Sequence, residues 1–121
     1  MKPERQRAWR RGRKAESLAL LALRLAGYRI LAHDHRTGPG EIDIIARRGA
    51  ILAFIEVKAR ADVTVAAESL LARQRRRIAR AAAGYLAVRP ELQSCQCRFD
   101  VMLLTPWRWP RHIRDAWRLG N

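Results

Sequence analysis

Between Arg13 and Leu25, apolar residues recur in two helical registers at once. One holds Leu18, Leu21, Ala22 and Leu25, and the other holds Ala19, Leu20 and Leu23. Most residues of this stretch are good helix formers, so the pattern predicts a helix that is apolar on both flanks and covered on both. Gly27 ends it, Tyr28 to Ala32 reads as a strand, and His33 to Gly40 reads as a polar, Gly-containing loop. Two β-rich runs follow, Glu41 to Arg47 and Ile51 to Lys58, with a turn between them.

Gly49 and Ala50 suit a two-residue type II′ hairpin loop, which requires glycine first. Counting back from that turn pairs Arg48 with Ile51 and Arg47 with Leu52, and so brings Asp43 opposite Glu56 and Glu41 opposite Lys58. All four side chains then share one face, because alternate residues of a strand point the same way.

Beyond a loop around Ala61 to Ala66, a second helix is expected from about Glu68 to Ala87, with Leu71, Gln74, Ile78, Ala81 and Tyr85 inward and Arg75, Arg76 and Arg80 on or near the outer side. Pro90 stops it. Cys97 to Leu104 reads as a strand and Thr105 to Pro110 as a Trp/Pro break. His112 to Leu119 reads as a short helix docking Ile113, Ala116 and Trp117 on the core.

Composition sharpens this pattern. In 121 residues there are 25 Lys and Arg against 11 Asp and Glu, a formal net charge of +14, while 49% of residues are hydrophobic. A basic tail without a core is thereby excluded, and one folded domain that binds a polyanion is expected, with residues 1–12 as a basic arm and 105–121 as a Trp/Arg-rich end. No apolar run reaches the roughly 18 to 20 residues of a membrane span. The basic start followed by leucines imitates a signal peptide, but Arg24 interrupts the run, Glu16 opens it and no small-residue cleavage site follows. Cys95 and Cys97 are too close for an ordinary disulfide and too few for a structural zinc site, so free thiols in the cytoplasm are expected.

The expected hairpin carries the chemistry. A bare Asp opposite a Glu repels, so a positive group belongs between them, and Mg²⁺ or Mn²⁺ held by oxygen ligands suits the place. Lys58, on the same face, would orient or deprotonate a water or neutralise charge developing on a phosphate. The plainer alternative is a cross-strand charge cluster with no role, although ionisable groups on otherwise Ile, Val, Leu and Phe strands are seldom buried without one. Glu41 is ambiguous in the same way, since it would also serve as a partner for Lys58.

Asp43, followed by Glu56-Val57-Lys58 at the end of the next strand, resembles the split motif of the PD-(D/E)XK nuclease superfamily, which includes restriction endonucleases and archaeal Holliday-junction resolvases. Four segments, Gly40-Glu41-Ile42-Asp43-Ile44-Ile45, Phe54-Ile55-Glu56-Val57-Lys58-Ala59-Arg60, Gln74-Arg75-Arg76 and Arg98-Phe99-Asp100-Val101, are together similar to the small bacterial YraN-like family of that superfamily. The likeness runs from about Gly12 to Trp117. It implies a restriction-endonuclease-like α/β fold, a mixed sheet flanked by helices, and it implies roles: Asp43 and Glu56 as metal-binding acids, the Val57 carbonyl as a backbone ligand, Lys58 as the catalytic lysine, Glu16 as the helix-borne glutamate and Gln74 as the glutamine near the site. Asp34-His35 stands where the family usually has Asn-Tyr, and Arg73 where it usually has Lys.

Several residues carry a bland reading beside the functional one. Glu16 also fits a first-turn acid favoured by the helix dipole, and Gln74 fits a residue that caps a strand carbonyl. His33 and His35 would point the same way on a strand, yet beside Gly and Pro they read as exposed loop residues. Asp100 is expected to pair with a neighbouring arginine. Arg10, Arg11, Arg13, Arg47, Arg48, Arg73, Arg75, Arg76 and Arg77 are the phosphate-contact candidates. Trp9, Trp107 and Trp109 are expected in core or dimer packing, with stacking on unpaired bases as the alternative. Taken together, these features point to a metal-dependent nuclease, or nuclease-like protein, acting on structured or branched DNA. The alternative is a basic binding module that keeps the fold without cleaving. The spare apolar face of the first helix hints at a homodimer, and no membrane partner is expected.

Overall fold

A computed structural model describes residues 16–36, 40–59 and 72–118. Five strands form one sheet in the order β1-β2-β3-β4-β5: β1 (Arg29–Arg36), β2 (Glu41–Arg48), β3 (Ile51–Ala59), β4 (Gln96–Leu104) and β5 (Arg111–Trp117). All neighbours are antiparallel except β3 and β4, which run parallel. A helix, α1, occupies 16–25 and covers one face, while α2 (Ala72–Ala87) covers the other and leads into a 3₁₀ turn at Pro90–Leu92.

The hairpin register follows from its turn. Gly49 takes φ 60°, which a type II′ loop asks of its first residue, and the ladder runs from Arg48↔Ile51 to Ile44↔Ile55 as counted from the sequence. Alternation on β3 then builds two cores. Leu52 and Phe54 meet Ile78, Ala81, Ala82 and Tyr85 of α2, whereas Ala53 and Ile55 meet Ala19 and Leu23 of α1. At the end of α1 the chain turns at Gly27, and the Tyr28 N–H donates to Leu23 O at 2.9 Å.

The structure departs from the sequence-based expectation in four places. The strand expected to stop at Ala32 continues through Arg36, so His33 and His35 lie on β1 and not in a loop. The expected C-terminal helix is the edge strand β5. Its Ile113 and Trp117 lie four residues apart, a spacing that shares a face in a helix and in a strand alike, and pairing with β4 takes the strand; Ala116 is exposed. Among the described residues the helix α1 is covered on one flank only, since Ala19 and Leu23 are buried while Leu18, Leu21 and Leu25 are exposed. Trp107 and Trp109 are also exposed, in the turn after β4, and Trp9 lies outside the described residues. The whole is a mixed five-stranded sheet between helices, an α/β architecture consistent with the restriction-endonuclease-like fold.

Candidate functional site

The β2–β3 ladder stops at Ile44↔Ile55, and a side chain continues it. The Val57 N–H donates to Asp43 Oδ2 at 2.8 Å, and the Asp43 carboxylate lies close enough to Glu56 to raise its pKa. The neighbouring strand explains the break. Asp34 on β1 takes φ 51°, in the left-handed region that a short polar side chain tolerates, between the pairs His33↔Ile44 and His35↔Ile42. Both strands therefore switch faces here: Ile42 and Ile45 belong to the α2 core, Ile44 and Ala46 to the α1 core. His33 and His35, which simple alternation would align, point to opposite sides. His33 Nδ1 is 3.7 Å from Glu16 Oε1, and His35 meets the Tyr85 ring edge-on at 5.1 Å.

Glu16 heads the α1 face that carries Ala19, Leu20 and Leu23, and burial of that face against the sheet sets Glu16 beside β1. Carboxylate and imidazole ligand atoms of Glu16, His33 and Asp34 lie within 4.8 Å of one another, as do those of Asp34, Glu41 and Asp43. On the α2 side a cleft of about 250 Å³ is lined by Glu41, Asp43, Glu56, Gln74, Arg77 and Ile78. Gly40 lets α2 come this close, since a Cβ there would meet Arg77 O at 2.6 Å. Lys58 is buried with its Nζ 3.6 Å from Glu56 Oε1, and Glu41 pairs with Arg36 at 3.6 Å and not with Lys58.

Burial dominates the electrostatics. It pushes Glu56 up to about 8, helped by the Asp43 charge and opposed by Lys58. Asp43 is raised by burial and by Glu41, against the Val57 N–H bond that favours its charged form. Glu16 is pushed up to about 7 by burial and then by Asp34, and its buried Oε1 has no hydrogen-bond partner among the described residues. Protonated acids held this close mark a place where a cation would replace protons. The donors that line the cleft are oxygen-rich and hard, which fits Mg²⁺ or Mn²⁺. His33, read from sequence as an exposed loop residue, and Asp34, noted only as a departure from the family pattern, enter this constellation because the strand β1 continues through the loop expected there.

The arginines divide. Arg77 lines the cleft and Arg73 and Arg76 are exposed on the same helix, while Arg75 lies 5.8 Å from the Trp117 ring with its buried Nε unbonded among the described residues. Arg47 and Arg48 sit at the turn end of the hairpin, away from the carboxylates. Arg47 Nε donates to Gly49 O, and Arg48 donates to Ala26 O and covers the Tyr28 ring at 4.6 Å. Arg10, Arg11 and Arg13 fall outside the described residues.

A fully buried acid, Asp100, lies on the α1 side of the sheet. Asp100 accepts hydrogen bonds from Arg98 Nε and Nη2, meets His112 Nε2 at 2.7 Å and takes the Asp115 N–H at 2.9 Å; Arg98 in turn donates to the Tyr28 hydroxyl at 2.6 Å. These bonds hold the Asp100 carboxyl below its ordinary value although burial opposes them. The arginine partner was expected from sequence; His112 enters because β5 is a strand.

Comparison with known proteins places the sequence in a family. Residues 15–104 match the profile of "Uncharacterised protein family UPF0102". A UPF0102 protein of Paramagnetospirillum magneticum is 58% identical over 118 residues, covering 94% of this chain and 92% of its own length. One from Parvibaculum lavamentivorans is 54% identical, covering 92% and 84%, and one from Maricaulis maris is 50% identical, covering 97% and 92%. The matched region contains Glu16, Asp43, Glu56, Lys58 and Gln74, and the chain belongs to UPF0102, the YraN-like family related to the PD-(D/E)XK nucleases.

Proposed function

We propose that the protein is a metal-dependent nuclease acting on structured or branched DNA in the cytoplasm. The observation that carries this is the meeting of Asp43 and Glu56, two half-buried acids with raised pKa values, at a cleft edged by Gln74 and Arg77, with Lys58 paired to Glu56. Asp43, Glu56 and the Val57 carbonyl would hold Mg²⁺ or Mn²⁺, which when bound supplies Lewis-acid stabilisation and a water of lowered pKa. The chain's own groups supply the rest. Lys58 places its Nζ 3.6 Å from Glu56 Oε1, where it would offset negative charge that develops on a phosphate. Gln74 offers both a donor and an acceptor to orient water, and Arg77 faces a phosphate at the cleft. Glu16 with its raised pKa is suited to hold or release a proton near neutrality.

One observation favours a second function, a binding module that does not cleave. Lys58 is nearly buried, does not line the cleft and is already paired with Glu56, which suits a purely neutralising lysine. The two functions separate on one experiment: cleavage of duplex, single-stranded, flap and four-way DNA with and without Mg²⁺ or Mn²⁺, by the wild type and by Lys58→Ala. A nuclease cleaves only with metal, and Lys58→Ala lowers the rate by orders of magnitude with little change in affinity. A wild type that cleaves nothing, together with a Lys58→Ala variant of lowered melting temperature, decides for the binding module. The exposed Leu18, Leu21 and Leu25 flank of α1 supports a homodimer. A monomeric mass with and without DNA at micromolar concentration would exclude it.

A further inference from the structure

The turn between β4 and β5 carries two tryptophans that the fold does not use. Trp107 is fully exposed and Trp109 is 59% exposed, with exposed Arg108 between them and exposed Arg111 opening β5. Trp107 has φ 62°, a conformation rare for a bulky residue. Nothing in the core accounts for two such rings in water, since the tryptophan that serves it is Trp117, 5% exposed and stacked on Phe99 at 4.2 Å.

The sheet fixes where this turn lies. Because β4 runs parallel to β3, in the register Lys58↔Leu103 and Ala59↔Leu104, β4 ends where β3 ends, beside the Glu56–Lys58 segment. The two residues after Leu104 begin the turn, so the tryptophans project from the carboxylate end of the sheet and not from the hairpin end. Asp43 lies two strands from β4, about 10 Å at the usual strand spacing. That is roughly three steps of a nucleic-acid strand at about 3.4 Å each.

We propose that Trp107 and Trp109 form a stacking platform for unpaired bases, with Arg108 and Arg111 on the flanking phosphates, so that the site receives a strand at a junction between paired and unpaired DNA. This rests on the nuclease-site assignment above and names the feature of the substrate that the site selects. Aromatic rings beside cations are how proteins hold single strands without reading sequence, and each stacked base is worth about five- to a hundredfold in affinity. A net charge of +14 favours a polyanion over an apolar partner for the same surface.

The test measures affinity without divalent cation for three DNA probes: a blunt duplex, the same duplex with a single-stranded tail, and the single strand alone. The wild type should prefer the tailed and single-stranded probes. Trp107→Ala and Trp109→Ala should each cut that preference about tenfold, with unchanged melting temperature, and Trp107→Phe should restore most of it. An unchanged tailed-to-blunt ratio in the double variant overturns the platform, and if that protein still cleaves with metal, the nuclease site stands without it. A wild type that binds none of the probes overturns both. Binding to anionic phospholipid vesicles that disappears in the double variant, with the DNA ratio unchanged, would assign the surface to membranes and overturn the proposal.

Discussion

Glu56, with a pKa of about 8, and Glu16, near 7, keep their protons where an exposed carboxyl has long lost its own. The fold therefore binds these protons more tightly than the unfolded chain does, whose glutamates titrate near the ordinary 4.5. Stability of the metal-free protein is full below that value and falls as pH rises through about 8. Melting temperatures taken in chelator should decline across pH 5 to 8, and Glu56→Gln should flatten the decline; a flat wild-type profile would show that these acids ionise freely. Asp100 has the opposite sign. Its lowered pKa contributes stability that is present above about 3.8 and lost on further acidification. Asp100→Asn leaves the half-buried Arg98 without its anionic partner, so a loss of about 3 kcal/mol in denaturant unfolding is expected at neutral pH. A loss under about 0.5 kcal/mol, the range of ordinary surface substitutions, would mean that the network adds nothing to the fold.

At the scale of elements, the contact between Gly40 and Arg77 O sets how closely α2 approaches the hairpin. Backbone cannot yield as a side-chain tip can, so Gly40→Ala should shift α2 outward and move Gln74 and Arg77 off the cleft. The expected reading is a fall in metal-dependent cleavage or, for a binder, in DNA affinity, larger than the fall in melting temperature would explain. How much of this was legible in sequence depends on what fixed each element. The β2–β3 register was legible because a two-residue turn leaves one pairing, and the buried face of α2 was legible from its spacing, whereas the two apolar registers of α1 did not tell which flank the sheet would cover. The switch of faces at Asp34 and Asp43 was not, because it depends on a left-handed residue in one strand and a side-chain hydrogen bond in the next, and alternation carries no sign of either. Asp43 and Glu56 nevertheless meet, because each stands one residue beyond the last ladder pair, Ile44↔Ile55. The strand β5 was hidden by the four-residue spacing that helix and strand share, and with it the contact of His112 to Asp100.

For the molecule as a whole, charge is distributed unevenly. Five of the 11 acids, Glu16, Asp34, Glu41, Asp43 and Glu56, gather at one end of the sheet in a chain of net charge +14. Monovalent salt should weaken DNA binding with a log-log slope near −4 to −5 if about five phosphates are neutralised. At constant ionic strength, Ca²⁺ should raise the affinity by neutralising the acidic end, and a slope near zero would exclude nucleic acid as the partner. The parallel pairing of β3 and β4 has a further consequence, in time instead of space. The hairpin closes over two residues, but β4 reaches β3 only after residues 60–95 have been spanned, a loop-closure entropy larger by about 2–3 kcal/mol. The carboxylates thus meet in the first structure to form, before α2 and β4 arrive to hold them together. Their repulsion is then a kinetic barrier, and Glu56→Gln should speed refolding at pH 9 more than it slows unfolding. Pulsed hydrogen exchange should find β2 and β3 protected ahead of β4 and β5, so that the chain assembles the costliest part of its site first.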